Sequence, residues 1–196
     1  MSSASSPSPA TDTRVFLRAP EFRDYEEYTA LRRASEEFHR PWSPKPPPGV
    51  DIHAEQSFAE FVRGNGMVHR RERMLVCRRA DQRILGLANL NEIVRGSFQS
   101  AFLGYWVGAE FANNGYMGEA LPLILGTAFG KLKLHRVEAN IRPENEPSIR
   151  LVRRAGFKQE GYSPRYLQIA GEWCDHERWA ILSDDDPAPR TAPNLI

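Results

Sequence analysis

The chain has 196 residues, of which 26 are basic and 25 acidic, so its net charge of +1 is close to zero. This length predicts one compact domain with tails rather than two full domains, and the near-neutral charge gives no bulk attraction to DNA or anionic lipid. The two cysteines form no CxxC pair, and no apolar run is long enough to span a bilayer. We therefore expect a cytoplasmic protein with no disulfide framework, no direct DNA binding and no membrane association.

Composition predicts disordered tails over residues 1–12 and 184–196, on either side of a single domain over residues 13–183. Residues 13–19 alternate between apolar and polar side chains, which predicts a first strand. Asp24 and Asp51 are predicted to cap two helices, the second of which ends at Gly64.

From residue 73 the pattern indicates strands, at 74–78, 84–94 and 98–107, that form an antiparallel meander. An apolar period near four predicts a helix over 115–131, and a strand over 135–141 follows it. This order predicts a crossover between two parallel strands. A short helix over 148–155, capped by Gly156, and strands over 157–162, 166–170 and 173–182 complete an α+β fold: a largely antiparallel sheet with one parallel splice.

The segment from residue 103 to residue 120 carries the chemistry. An apolar strand that ends in Tyr105, Trp106 and Val107 is followed by Gly108, a glycine-containing loop and the start of a helix. Such a loop exposes backbone N–H groups at the positive end of a helix dipole, which suits a pyrophosphate. An ordinary tight turn would look the same in isolation. The loop is neither a P-loop nor a Rossmann fingerprint.

Downstream, residues 140–151 read NIRPENEPSIRL, and residues 154–157 read RAGF. Together with the loop, these segments resemble the GCN5-related N-acetyltransferase (GNAT) superfamily and, within it, the RimJ/RimL group, with RimJ the nearer. The likeness extends from Leu17 to Leu182. It implies a three-layer α/β/α domain whose mixed sheet of about seven strands is splayed between strands 4 and 5. Ala112 and Met117 depart from the family's usual loop pattern of Q/R-x-x-G-x-G/A.

The resemblance implies that acetyl-coenzyme A (acetyl-CoA) enters the gap between strands 4 and 5, and that no metal takes part. Arg153, with Arg150 and Arg154, would face the ribose phosphate. A solvent-exposed face of the helix would show the same spacing of arginines. The remaining residues implied in cofactor binding are Trp106, Val107, Gly108, Asn113, Asn114, Gly115, Tyr116, Met117, Gly118 and Asn145.

Ser148 matches the family hydroxyl that protonates the departing thiolate, with a helix N-cap after Pro147 as the alternative. We do not expect Ser148 to act as an acyl nucleophile, because no histidine is paired with it in the sequence. The N–H of Val107 or a neighbour would stabilise the developing oxyanion. The catalytic residues expected beside Ser148 are Tyr105 and Glu92. All candidates for the general base are Glu92, Glu119, Glu160, Tyr105 and Tyr162, with a water relay as a further route.

The resemblance implies transfer of acetyl to the N-terminal α-amino group of a protein, with small-subunit ribosomal protein five as the leading substrate. Two alternatives stay open: acetylation of a small amine such as a polyamine or antibiotic, and a non-catalytic acyl-CoA-binding module. Either a monomer or a homodimer is expected. The proline-stiffened segment 38–50, which contains Trp42, would border the peptide groove. His69, His135 and His176 have no metal-ligand spacing and are expected to be ordinary surface or core residues.

Overall fold

The computed structural model describes residues 13–66, 68 and 70–185. Their seven strands form one sheet in the order β1-β2-β3-β4-β5-β7-β6. Every pair of neighbours is antiparallel except β4 and β5, which are parallel, so the predicted α+β fold with one parallel splice is confirmed. The strands are β1 (Val15–Arg18), β2 (Glu72–Arg78), β3 (Ile84–Val94), β4 (Ser100–Val107), β5 (Arg136–Ile141), β6 (Lys158–Ile169) and β7 (Glu172–Leu182).

Helices cover both faces of the sheet. On one face Tyr28 packs against Trp106 of β4, with ring centroids 5.7 Å apart, and on the other Tyr105 of β4 reaches Ser148. Helices α1, α2 and α3 thus lie on the first face and α5 on the second, which gives the three layers implied by the sequence. The helices are α1 (Tyr25–Ala34), α2 (Glu36–His39), α3 (Glu55–Arg63), α4 (Tyr116–Leu125) and α5 (Glu146–Arg154).

The core lies against the middle of the sheet, where apolar side chains of β2 and β3 are fully buried. Leu121 and Ile124 of α4 are also fully buried, in agreement with the period near four of that helix. Burial of one such side chain stabilises the fold by about 1.5–3 kcal/mol. This packing fixes α4, and therefore the loop that precedes it, relative to β4.

β4 and β5 pair over three positions only, from Ser100 opposite Arg136 to Phe102 opposite Glu138. Beyond them both strands continue, β4 to Val107 and β5 to Ile141, without pairing to each other. The implied splay between strands 4 and 5 is therefore present. It leaves backbone groups on the edge of β4 that β5 does not use.

Both predicted aspartate caps are wrong in detail. Asp24 immediately precedes α1, but its carboxylate accepts hydrogen bonds from Arg18 at 2.7 Å and from the N–H of Glu21 at 2.8 Å. Asp51 accepts from the N–H of His53 at 2.8 Å, in a turn that delays the start of α3 to Glu55. In both cases the short side chain bonds a nearby backbone group outside the helix.

Three predicted boundaries also change. The helix predicted over 115–131 has α-helical pairing to Leu125 and continues as a π-helix over Gly126–Lys131. The two strands predicted over 157–170 form the single irregular strand β6. Asp185, predicted to be in the tail, forms an ion pair with Lys158 at 3.0 Å. The rest of the predicted tails, residues 1–12 and 186–196, and His69 lie outside the described residues.

Candidate active site

β4 and β5 separate after the pair of Phe102 and Glu138, and we call this divergence the fork, with its closed end at the paired positions. A cavity of about 170 Å³ lies at the fork. Because strand side chains alternate, Tyr105 faces α5 whereas Gly104 and Trp106 face α1 and α2. The pairing of β4, β5 and β7 places Asn140 and His176 on the Trp106 face. Since residues from both faces line it, the cavity connects the two faces through the plane of the sheet. Its lining includes Trp42, Gly104, Tyr105, Asn140, Arg142, Asn145, Ser148 and His176.

Two hydroxyl groups meet on the α5 side of this cavity. The Tyr105 hydroxyl lies 3.0 Å from Oγ of Ser148. Asn145 caps α5 and accepts the N–H of Ser148 at 3.3 Å, so Ser148 is in the first turn and is not the N-cap. Burial raises the pKa of Tyr105 to about 12, although the hydrogen bond to Ser148 opposes this shift. Both hydroxyl groups therefore keep their protons at neutral pH. One proton is shared between them, and the other is free to be donated to a ligand.

The free edge of β4 includes Val107. The N–H of Gly108 bonds to the carbonyl of Leu85 at 2.8 Å, so Gly108 already uses the donor that the sequence assigned to the cofactor. Because the pairing direction alternates along an antiparallel strand, the N–H and C=O of Val107 point away from β3. Nε2 of His39 donates to the Val107 carbonyl at 2.8 Å. Burial lowers the pKa of His39, which keeps its imidazole neutral.

The loop before α4 adopts the conformation that anion binding requires. Asn113 and Gly115 have positive φ angles of 61° and 81°, and α4 begins at Tyr116. The first N–H groups of an α-helix have no acceptor within the helix, so those of Tyr116, Met117 and Gly118 point out of its N-terminus. Arg14 holds the loop by donating to the carbonyl of Asn114 at 2.8 Å. The loop and helix dipole thus favour an anion here.

Most base candidates have other partners. The carboxylate of Glu119 binds Arg14, Glu160 forms an ion pair with Arg136, and the Tyr162 hydroxyl donates to Asp175 at 2.5 Å. Each of these interactions holds its group away from the fork.

Glu92 is exposed and follows Asn91, which is paired with Phe102 at the closed end of the fork. The structure therefore brings Ser148 and Tyr105 together but leaves Glu92 outside the cavity lining.

Arg153 also lies away from the loop. Its guanidinium sits 5.4 Å from the centre of the Trp179 ring, on the β7 side of α5. The opposite side of α5 faces α4, because Leu151 lies 3.9 Å from the position that a Cβ would take at Gly118. Arg154 follows Leu151 by three residues and shares its side of the helix. Arg154, and not Arg153, is therefore placed on the loop side, whereas Arg150 forms an ion pair with Glu146 at 2.9 Å.

The sequence missed His39, Asn140 and His176 as members of this site. Asn140 and His176 are polar residues on strands, and only the pairing of β5 with β7 brings them into the cavity lining together with Gly104. Trp42 does reach the site, since Arg142 donates to the carbonyl of Pro41 at 2.9 Å and lies over the Trp42 ring. Among the described residues, no group of three or more potential metal ligands is present. No helix in the described part is long and apolar enough to cross a membrane.

A family model for the acetyltransferase (GNAT) domain matches residues 14–158. The [Ribosomal protein uS5]-alanine N-acetyltransferase of Escherichia coli is 39% identical over 105 residues, which is 54% of this chain and 54% of that protein. The chain spans about half the length of the curated relatives it matches.

Two solved structures share the fold. Mycobacterium smegmatis RimJ in complex with CoA-disulfide superposes with a TM-score of 0.82 and 31% identity, over 90% of this chain and 85% of that chain. Spermidine N-acetyltransferase from Vibrio cholerae, in complex with CoA and spermine, has a TM-score of 0.74 at 22% identity, over 88% of this chain and 97% of that chain. The second likeness shows a common fold alone.

Proposed function

The chain belongs to the GNAT acetyltransferase family, and on this basis we propose that it transfers acetyl from acetyl-CoA to the N-terminal α-amino group of a protein. The observation that carries the proposal is the cavity at the fork, with the paired hydroxyls of Tyr105 and Ser148 on one side. We further propose that the acceptor is a ribosomal protein, as is named for the E. coli relative.

The residues present fit acetyl-CoA. The N-terminus of α4 and its glycine-containing loop suit the pyrophosphate, and the edge of β4 that β5 leaves unpaired suits an amide-containing arm. Arg154 supplies a positive charge on the loop side of α5. When bound, acetyl-CoA supplies an activated acetyl thioester.

The chain's own groups perform the proton and charge steps. The Ser148 hydroxyl donates a proton to sulfur as it departs, and Tyr105 fixes the direction of that hydroxyl. The N–H of Val107 points into the fork, where it can bond the carbonyl oxygen as negative charge develops on it.

The acceptor side favours a peptide over a polyamine. A second cavity, of about 610 Å³, is lined by Trp106, His39, His53 and the proline-rich segment 41–46. The charged residues that line it include Arg32, Arg40 and Lys45 but only one acid, Glu36. None of the described residues that line the cavity at the fork is acidic. A polycation would find little compensating charge here, whereas an extended peptide with one amino group brings a single positive charge and meets less repulsion.

Thiol release from acetyl-CoA tests the proposal. We expect turnover with peptides that begin with alanine, and none when the same peptide carries an acetylated N-terminus. Turnover with spermidine or an aminoglycoside but not with peptides would replace the peptide substrate with a small amine. Tight CoA binding by calorimetry without any thiol release would replace the enzyme with a binding module.

A further inference from the structure

Building on the proposed function, we propose that His176 is the general base of this site. Its Nε2 would take the proton from the acceptor ammonium while the side-chain oxygen of Asn140 accepts a second hydrogen bond from the same nitrogen. Both residues line the cavity at the fork, on the sheet face opposite Tyr105. An amine that enters from the α1 and α2 side would thus meet two hydrogen-bond acceptors.

The tautomer of His176 follows from its one described hydrogen bond. Nδ1 lies 2.9 Å from the carbonyl oxygen of Cys174, and a carbonyl can only accept. Nδ1 therefore carries the hydrogen, which leaves a lone pair on Nε2 in the neutral imidazole. The residue is 2% exposed and its ring packs against Tyr166 at 6.0 Å, so the ring is held in one orientation.

The surroundings keep this imidazole neutral. Burial lowers the pKa of His176 below its ordinary value, and the positive charge of Arg142 lowers it further. The hydrogen bond to Cys174 and the carboxylates of Asp175 and Glu144 raise it, but they do not reverse the shift. The groups that act on the ring are thus Arg142 and Glu144 after the end of β5, the Tyr166 ring on β6 and Asp175 on its own strand.

Asn140 gives a second, independent indication that a hydrogen-bond donor binds in this cavity. Its Oδ1 is buried and has no hydrogen-bond partner among the described residues. A buried carbonyl oxygen without a partner is costly, and the amide oxygen lines the same cavity as His176. The acceptor nitrogen in its protonated form, an ammonium group, carries only hydrogen-bond donors, so it satisfies both acceptors at once.

The proton balance is complete with the groups named. One N–H bond of the ammonium breaks and its proton goes to Nε2 of His176, which passes it to solvent. The freed lone pair forms the C–N bond as the C–S bond breaks. The sulfur keeps the C–S electron pair and gains a proton from Ser148. A second proton leaves the nitrogen as the amide forms. It replaces the proton that Ser148 gave to the sulfur, so Ser148 is again a hydroxyl at the end of the reaction.

The test compares His176→Asn with the wild type and with His135→Asn, an exposed histidine at the closed end of the fork. An asparagine amide can still donate to the Cys174 carbonyl but lacks the base at Nε2. With an alanine-starting peptide, we expect His176→Asn to lower kcat/KM at pH 7 by about 10²–10⁴-fold. The deficit should shrink by about tenfold by pH 9, because an α-amino group with a pKa near 8 then deprotonates by itself. His135→Asn should follow the wild type.

Three results overturn the role of His176. They are unchanged activity, an equal loss at every pH, or ¹⁵N NMR of the wild type that places the hydrogen on Nε2. The NMR measurement decides even if the variant does not fold. Failure of the proposed function looks different, since the wild type itself would then release no thiol with any peptide.

Discussion

Removal of the Ser148 hydroxyl separates its proposed chemical role from a structural one. Asn145 caps α5 through the backbone N–H of Ser148, so Ser148→Ala keeps the cap. The variant loses the 3.0 Å contact with Tyr105, but the Ser148 carbonyl, 3.5 Å from the Tyr105 hydroxyl, remains as an acceptor. We therefore expect a loss of about 1 kcal/mol in the free energy of unfolding.

The effect on turnover should be much larger. Loss of a positioned proton donor costs about 10²-fold or more in kcat, whereas CoA should bind within about threefold of the wild type because one neutral hydrogen bond is lost. Stopped assays of thiol release give kcat, calorimetry gives the Kd of CoA, and urea unfolding gives stability. The matched control is Ser57→Ala, which removes a 2.7 Å hydroxyl hydrogen bond to the Asp51 carbonyl near α3. A kcat for Ser148→Ala within threefold of this control, or equal losses in kcat and CoA affinity, would refute the reasoning.

Three further predictions concern Tyr105, Ser35 and Arg154. Because burial raises the pKa of Tyr105 to about 12, its protonated form stabilises the fold below pH 10, and this contribution is lost as pH rises through 12. Between pH 9 and 11 the wild type should therefore lose about 1.4 kcal/mol more stability than Tyr105→Phe in urea unfolding, and equal losses would contradict the burial argument. Ser35→Ala should lower the free energy of unfolding by about 1–3 kcal/mol, since the buried Ser35 hydroxyl accepts the Ala109 N–H at 2.9 Å. A loss of stability no larger than that of Ser57→Ala would show that the N–H finds another acceptor. Arg154→Ala should weaken CoA binding by up to about fivefold at low salt and Arg153→Ala by less, and calorimetry showing the reverse order would restore Arg153 to the site.

The fold was largely predictable because its signals are local. The strand predicted over residues 84–94 matches β3 as observed, and the glycine-containing loop precedes α4 where expected. The aspartate caps were not predictable, because a short carboxylate bonds whichever backbone N–H the chain brings nearest. For Asp24 that group is the N–H of Glu21, and for Asp51 it is the N–H of His53.

The site was predictable on one side of the sheet only. Ser148 and the loop occur in contiguous segments, and these segments carried the resemblance to the GNAT family that implied their roles. Glu92 was expected to be catalytic as one of several candidates for the base, but the bulge between Asn91 and Val94 leaves it exposed at the closed end of the fork. Asn140 and His176 line the same cavity only because β5 pairs with β7 in this register, which no local pattern in the sequence encodes.

The two faces of the fork have opposite hydrogen-bonding character, and this division accounts for the direction of the proposed transfer. On the α5 side, Tyr105 and Ser148 present hydroxyl protons that burial keeps in place. On the other side, Asn140 and His176 present acceptors. An amine loses protons and a thiolate gains one, so each reactant meets the complementary chemistry only if the nitrogen approaches from the α1 and α2 face. Because the faces communicate through a gap of about 170 Å³, the two half-reactions can occur within one cavity while the donors and acceptors stay on separate sides of the sheet.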